Sequence, residues 1–153
     1  MTEKITTFTT DEYRFLSNFY PHKKNGEKYP LQVKVIYNNI EFDCVENAYQ
    51  AAKFIDKSMQ IKFSQITPFE AVKFWEDNHS YREDWHEIKL EIMKNLVTQK
   101  FTHNPELSRM LVSTGDAILE EGNDWGDIYW GICDGIGENN LGKILMNIRE
   151  KLK

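Results

Sequence analysis

The sequence predicts an α+β fold that is predominantly α-helical, with one small antiparallel β element near the N-terminus. Apolar residues recur at steps of three and four in several stretches after residue 43, the spacing of helices with one buried face. One stretch, residues 33–42, alternates apolar and polar residues about an Asn-Asn pair, as a hairpin does. The chain has 153 residues, of which 41% are hydrophobic and 13% aromatic, enough for one sizeable core and a single domain over residues 1–153.

In chain order, ITTFTT at residues 5–10 is a short strand candidate, and DEYRFLSNFYPH is an aromatic-rich connection closed by Pro21. A polar loop with an Asn25-Gly26 turn follows. Val33, Val35 and Tyr37, then Asn38-Asn39, then Ile40 and Phe42 make the hairpin. Asp43 is the N-cap candidate of the first helix, with Glu46 in capping-box position and Val45, Ala48, Ala52 and Ile55 as its apolar stripe. Small Ala48, Ala51 and Ala52 suit close packing by another element.

Thr67-Pro68-Phe69-Glu70 is a second capping box with proline at the first helical position, opening a helix through Ala71, Val72 and Phe74. Trp85, Ile88, Ile92 and Leu96, widened by Met93 and Val97, predict a long helix that ends before Pro105. Asn104-Pro105 starts a short helix carrying Leu107, Met110 and Leu111 and closed by Gly115, and AILEE is a short strand. The last helix runs from about Leu141, with Ile144, Leu145, Ile148 and Leu152 inward and Arg149, Lys151 and Lys153 suiting its C-terminal dipole. Before it, GNDWGDIYWGICDGIGENN has neither helical nor strand periodicity; long irregular loops of this kind are often functional.

Charge narrows the function. With 24 acidic against 19 basic residues and a formal net charge of -5, the chain lacks the basic field that drives strong non-specific nucleic-acid binding. The two cysteines, Cys44 and Cys133, have no metal spacing and suit a reducing compartment. The N-terminus has no signal-peptide pattern, and no apolar run approaches a membrane span, so the expectation is a soluble, cytoplasmic protein. His22, His79, His86 and His103 are scattered without zinc-ligand spacing. There is no phosphate-binding GxxxxGK[ST] loop and no GxSxG elbow, and GDIYWGICDGIG matches a dinucleotide turn poorly.

The chemistry concentrates in CVENAYQAAKF, residues 44–54. Seven helical steps return to within roughly 20° of the start, so Glu46 and Lys53 share a face with Gln50 between them. In water this is a capping carboxylate and a surface pair. Facing a cavity, Lys53 is a nucleophile and Glu46 a general acid or base. The glycine-rich loop adds Asp124, Asp127 and Asp134 among Trp125, Tyr129 and Trp130, either as turn formers or, for Asp127, as a chemical carboxylate beside rings able to stack a base.

FLSNF (residues 15–19), VENAYQAAKF (45–54), DIYWG (127–131) and GENNLGKILMNIR (137–149) stand in an order and spacing that resemble the NADAR family, also called YbiA-like, from about Phe15 to the C-terminus. The resemblance implies a compact, mainly helical fold with a small β element. It also implies an N-glycosidase acting on ribose held through an amino nitrogen. The substrate is then an ADP-ribosyl group on guanine in DNA or RNA, or a ribosylamine phosphate intermediate of riboflavin synthesis. By this resemblance Glu46, Lys53 and Asp127 are the catalytic candidates. Asn18, Phe19, Tyr49, Gln50, Trp85, Trp130, Gly131 and Asn139 surround the ligand, and neither metal nor cofactor is required. A non-catalytic module binding ADP-ribose or NAD is the alternative.

Overall fold

The computed structural model describes residues 3–78 and 80–153; His79 lies outside the described residues. Its first elements are β1 (Lys4–Ile5), a 3₁₀ turn (Arg14–Leu16), β2 (Val35–Tyr37), β3 (Ile40–Phe42), α1 (Val45–Ala52), α2 (Lys57–Phe63) and α3 (Pro68–Asn78). They continue with α4 (Trp85–Thr102), α5 (Pro105–Ser113), β4 (Ile118–Leu119), β5 (Gly122–Asn123), β6 (Ile132–Cys133) and α6 (Asn140–Leu152). The fold is α+β and predominantly helical, as expected. No helix among the described residues is long and apolar enough to cross a membrane. The contacts divide the chain into two units, one of Asn18–Asn104 and one of the residues up to Ser17 with Pro105–Lys153.

The unit Asn18–Asn104 is built around α1. The hairpin beside it pairs Val35 with Phe42, Ile36 with Glu41 and Tyr37 with Ile40. Its two-residue turn places Asn38 and Asn39 at φ 51° and 62°, the left-handed geometry that asparagine tolerates best among non-glycines. The outer edge of β2 is closed by a side chain: Ile36 N–H donates to Gln99 Oε1 at 2.8 Å, and Gln99 Nε2 donates back to Ile36 O at 3.0 Å. That amide of α4 stands in for another strand.

Helix α1 packs against α2, α3, α4 and the hairpin, and all eight of its residues are buried. Fully buried Ala48, Ala51 and Ala52 let these neighbours approach closely. Cys44, not Asp43, is the N-cap; its Sγ donates to Asn47 Oδ1 at 2.8 Å, while Asp43 turns instead to His22 and Lys28. Asn47 Nδ2 donates to the carbonyls of Phe63 and Ile66, 2.8 Å each, and ties α1 to the end of α2. The helix stops at Ala52, so Ile55 is not part of its stripe and is 72% exposed.

Helix α2 lies in a segment for which the sequence reading assigned no element; Asp56 caps it by accepting from Ser58 N–H. The α3 capping box is present as expected, with Thr67 N–H donating to Glu70 Oε1 at 3.0 Å and Glu70 N–H to Thr67 Oγ1 at 3.1 Å. In α4, Trp85, Met93, Leu96, Val97, Lys100 and Phe101 are buried, whereas Ile88 and Ile92 line an open groove with Tyr37, Arg82 and Asp84.

In the other unit, α6 packs on α5 and β4, and β1 pairs in parallel with β4, Ile5 opposite Leu119. The irregular loop holds a short parallel pair, β5 with β6, that its sequence did not announce. Ile144, Leu145 and Ile148 face inward as expected. Arg149 does too, rather than serving the helix dipole from the surface: it is buried and donates from Nη1 to Thr114 Oγ1 at 2.8 Å.

Candidate active site

The polar row of α1 is not a solvated edge. Glu46 is 9% exposed, Gln50 5% and Lys53 7%. A carboxylate, an amide and an amine inside a buried helix are costly unless they have partners or a purpose. The Cys44 side chain makes no cap bond at the start of α1, and the Glu46 carboxylate accepts from Gln50 Nε2 at 2.7 Å. Its backbone N–H donates to Asn18 O at 3.0 Å, which satisfies one of the free donors at the helix start.

Lys53 stands at the C-cap of α1, where its N–H closes onto Gln50 O and its carbonyl accepts from Arg82 N–H at 2.8 Å. Its ammonium lies 4.0 Å from the centre of the Trp75 ring and 5.4 Å from that of Tyr49. Tyr49 in turn tilts against Trp85 at 5.1 Å, and Trp75 stacks on Tyr81 at 5.1 Å. Lys53 is buried beside these rings, and burial pulls its amine down from 10.5 to about 8. The nearby Glu46 charge works against that shift, and Lys89 adds to it. Burial therefore outweighs both the attraction of Glu46 and the pull of a helix C-terminus on a cation.

Each expected residue of this unit has a definite place. Asn18 also donates from Nδ2 to Met93 Sδ at 3.5 Å, Phe19 packs on Phe69 at 5.1 Å, and Trp85 is buried at the start of α4. Trp75 and Tyr81 were not anticipated. Trp75 lies four residues after buried Ala71, on the inward side of α3, and that spacing was the signal available.

In the other unit, Asp127 Oδ1 accepts from Tyr129 N–H at 3.1 Å and Trp130 N–H at 2.9 Å, so this carboxylate shapes its own turn. Tyr129 and Trp130 pack edge to face at 4.7 Å. Gly131 is required by space, because a Cβ there would meet the Glu121 backbone carbonyl. Its own carbonyl accepts from Asn139 N–H. Asn139 is buried in the left-handed region at φ 54°, its Nδ2 donating to Leu119 O at 2.9 Å and its Oδ1 accepting from Glu121 N–H at 3.0 Å. Both ends of that amide hold the loop.

A cluster that spacing did not reveal brings ligand atoms of His22, Asp43 and Cys44 within 4.8 Å of one another. His22 Nε2 is 3.1 Å from Asp43 Oδ1, and Lys28 Nζ donates to Asp43 Oδ2 at 3.0 Å. Burial drives the Cys44 thiol far above its ordinary value. These residues anchor the entry to α1.

Residues 7–153 match the NADAR domain. Among curated proteins, the chain is 33% identical over 159 residues to a riboflavin biosynthesis protein of Vibrio vulnificus, covering all of this chain but 40% of that protein's length. It is 31% identical to N-glycosidase YbiA of Escherichia coli, covering 99% of this chain and 91% of that one. The NMR structure of Escherichia coli YbiA superposes with a TM-score of 0.80 at 30% identity, over 99% of this chain and 86% of the other. The four sequence blocks, the helical α+β fold and these matches along the chain's length agree: the chain belongs to the NADAR domain family.

Proposed function

We propose that this protein is an N-glycosidase that releases an amine from ribose, with Lys53 as the attacking group. The observation that carries the reading is a buried lysine, lowered to about 8, on the same helical face as a buried carboxylate. At pH 7 about one Lys53 in ten then carries a free amine, against about one in three thousand at the ordinary lysine value. Relatives named N-glycosidase support the reaction class.

The steps balance without an oxidant or reductant. The ribosylamine ring opens, its C1–O bond breaking as C1 and nitrogen form an imine and the ring oxygen takes a proton. Lys53 Nζ adds to C1, the bond from C1 to the leaving nitrogen breaks, and that nitrogen departs as a protonated amine. Water then cleaves the sugar–lysine imine and restores both the aldehyde and the free amine. Glu46 is the proton carrier for the ring oxygen and the leaving nitrogen. Gln50 keeps the Glu46 carboxylate oriented.

Asp127 enters on the family resemblance. Asp127→Asn keeps the Oδ1 acceptor of its turn and removes the charge, so it separates chemistry from loop shaping. Of the two substrate classes, a small ribosylamine phosphate suits the net charge of -5 better than a long polynucleotide does, and the name of the Vibrio relative points the same way. Such a metabolite is met in the cytosol, the compartment proposed here. The NADAR match includes residues of both units, and we take residues 1–153 to function as one domain.

The test is turnover of a ribosylaminopyrimidine phosphate and of an ADP-ribosylated guanine oligonucleotide by wild type, Glu46→Gln and Asp127→Asn. Loss of product in both variants with melting curves preserved is expected. Undiminished turnover in both would defeat the proposal.

A further inference from the structure

We infer that the side-chain carbonyl of Gln50 is a recognition point for a hydrogen-bond donor on the substrate: the N–H that links sugar and amine, or a sugar hydroxyl. This rests on the glycosidase reading above and adds a specificity-determining residue to it. Gln50 Oε1 is buried and has no hydrogen-bond partner among the described residues, while Nε2 of the same amide donates to Glu46.

The orientation of the amide follows from its neighbour. An ionised carboxylate only accepts, so the N–H₂ end faces Glu46 and the oxygen faces away. Were Glu46 protonated and the amide turned over, the N–H₂ end would be the one left without a partner. Either way one polar end stays unsatisfied inside a helix that is buried throughout. Buried carbonyls in folded proteins are nearly all paired, and an exception calls for a partner from outside the chain, such as a ligand or a water. The bond to Glu46 accounts for the Nε2 end of the amide and leaves its carbonyl unaccounted for.

Placement narrows the donor. Gln50 follows Glu46 by one helical turn and precedes Lys53 by three residues. A group bonded to its carbonyl therefore sits along the helix between the acid and the amine, where the reacting carbon must also be. A ribose joined through an exocyclic amine offers donors there in its linking N–H and its 2- and 3-hydroxyls. A ribose joined through a ring nitrogen has no linking N–H. If the linking N–H is the donor, the carbonyl selects amino-linked ribosides.

The experiment compares wild type, Gln50→Met and Gln50→Leu on a ribosylaminopyrimidine phosphate and three analogues: N-methyl at the linking nitrogen, 2-deoxyribosyl and 3-deoxyribosyl. Both variants should melt cooperatively and lower kcat/KM on the parent at least tenfold. For the analogue that lacks the recognised donor, wild type itself should be impaired and the substitutions should cost at least fivefold less than on the parent. Which analogue behaves this way names the donor. Equal losses on all four compounds would mean that Gln50 acts only through Glu46, and no loss on any would mean that it does nothing; either overturns the inference. If wild type turns over none of them, the glycosidase reading fails by itself. The same four compounds titrated calorimetrically into wild type and Gln50→Met then decide: a Kd ratio common to all four overturns the inference, and a ratio that collapses for one analogue upholds it.

Discussion

At the scale of single residues, the account turns on one amine whose charge is unwelcome where it sits. Lys53 has a folded value of about 8 against an ordinary 10.5, so the unfolded chain binds the additional proton between those limits. Its cost to the fold is present in full below pH 8 and fades as pH rises toward 10.5. Lys53→Met should therefore abolish turnover yet raise stability at pH 7, by about 1–3 kcal/mol, with the gain shrinking above pH 8 in denaturant titrations at several pH values. Catalysis follows the free amine, so kcat/KM should climb with pH to a plateau with a midpoint near 8. Glu46→Gln removes the charge that props up the ammonium, and the ¹³Cε shift of Lys53 should then titrate at lower pH than in wild type. The alignment of Glu46, Gln50 and Lys53 was legible in their spacing. Their burial was not, because a capping carboxylate and a buried one read alike until the elements packed around α1 are known.

At the scale of elements, local signals were legible and long-range ones were not. The α3 capping box and the Asn38-Asn39 turn are completed by residues three or fewer apart, so both were read correctly. The start of α1 was misplaced by one residue because Asp43 is drawn to His22 and Lys28, partners distant in sequence. Short α2 escaped notice because its seven residues hold only Gln60 and Phe63 buried, too few to show a period. The glycine loop is organised by Asn123, Asp127 and Asn139, which bond backbone groups rather than repeating an apolar pattern. Asn47→Ala should cost about 2–4 kcal/mol in chemical denaturation, since it strips two carbonyls and the Cys44 thiol of partners at once. Thr67→Ala, which removes one half of an exposed cap, should cost only about 1 kcal/mol.

At the scale of the whole molecule, charge and composition bear on the choice of substrate. A chain with a net charge of -5 has little to gain from a polyanion beyond the modified base itself. If a ribosylamine phosphate is the better substrate, its kcat/KM should fall only a few-fold between 50 and 200 mM salt, whereas an enzyme gripping many phosphates would lose orders of magnitude. The helical α+β class was legible because five of the six helices among the described residues carry an apolar period or a cap in the sequence. The two contact units were not, since the residues up to Ser17 join Pro105–Lys153 through a β1–β4 pairing that no local pattern announces. The most direct measurement is to mix the protein with a ribosylaminopyrimidine phosphate, add borohydride during turnover, digest, and map the product by mass spectrometry. A reduced sugar adduct on Lys53, absent without substrate and absent in Lys53→Met, is the predicted result. Brisk turnover with no adduct on Lys53, or a Lys53→Met variant that still releases the amine at the wild-type rate, would contradict it.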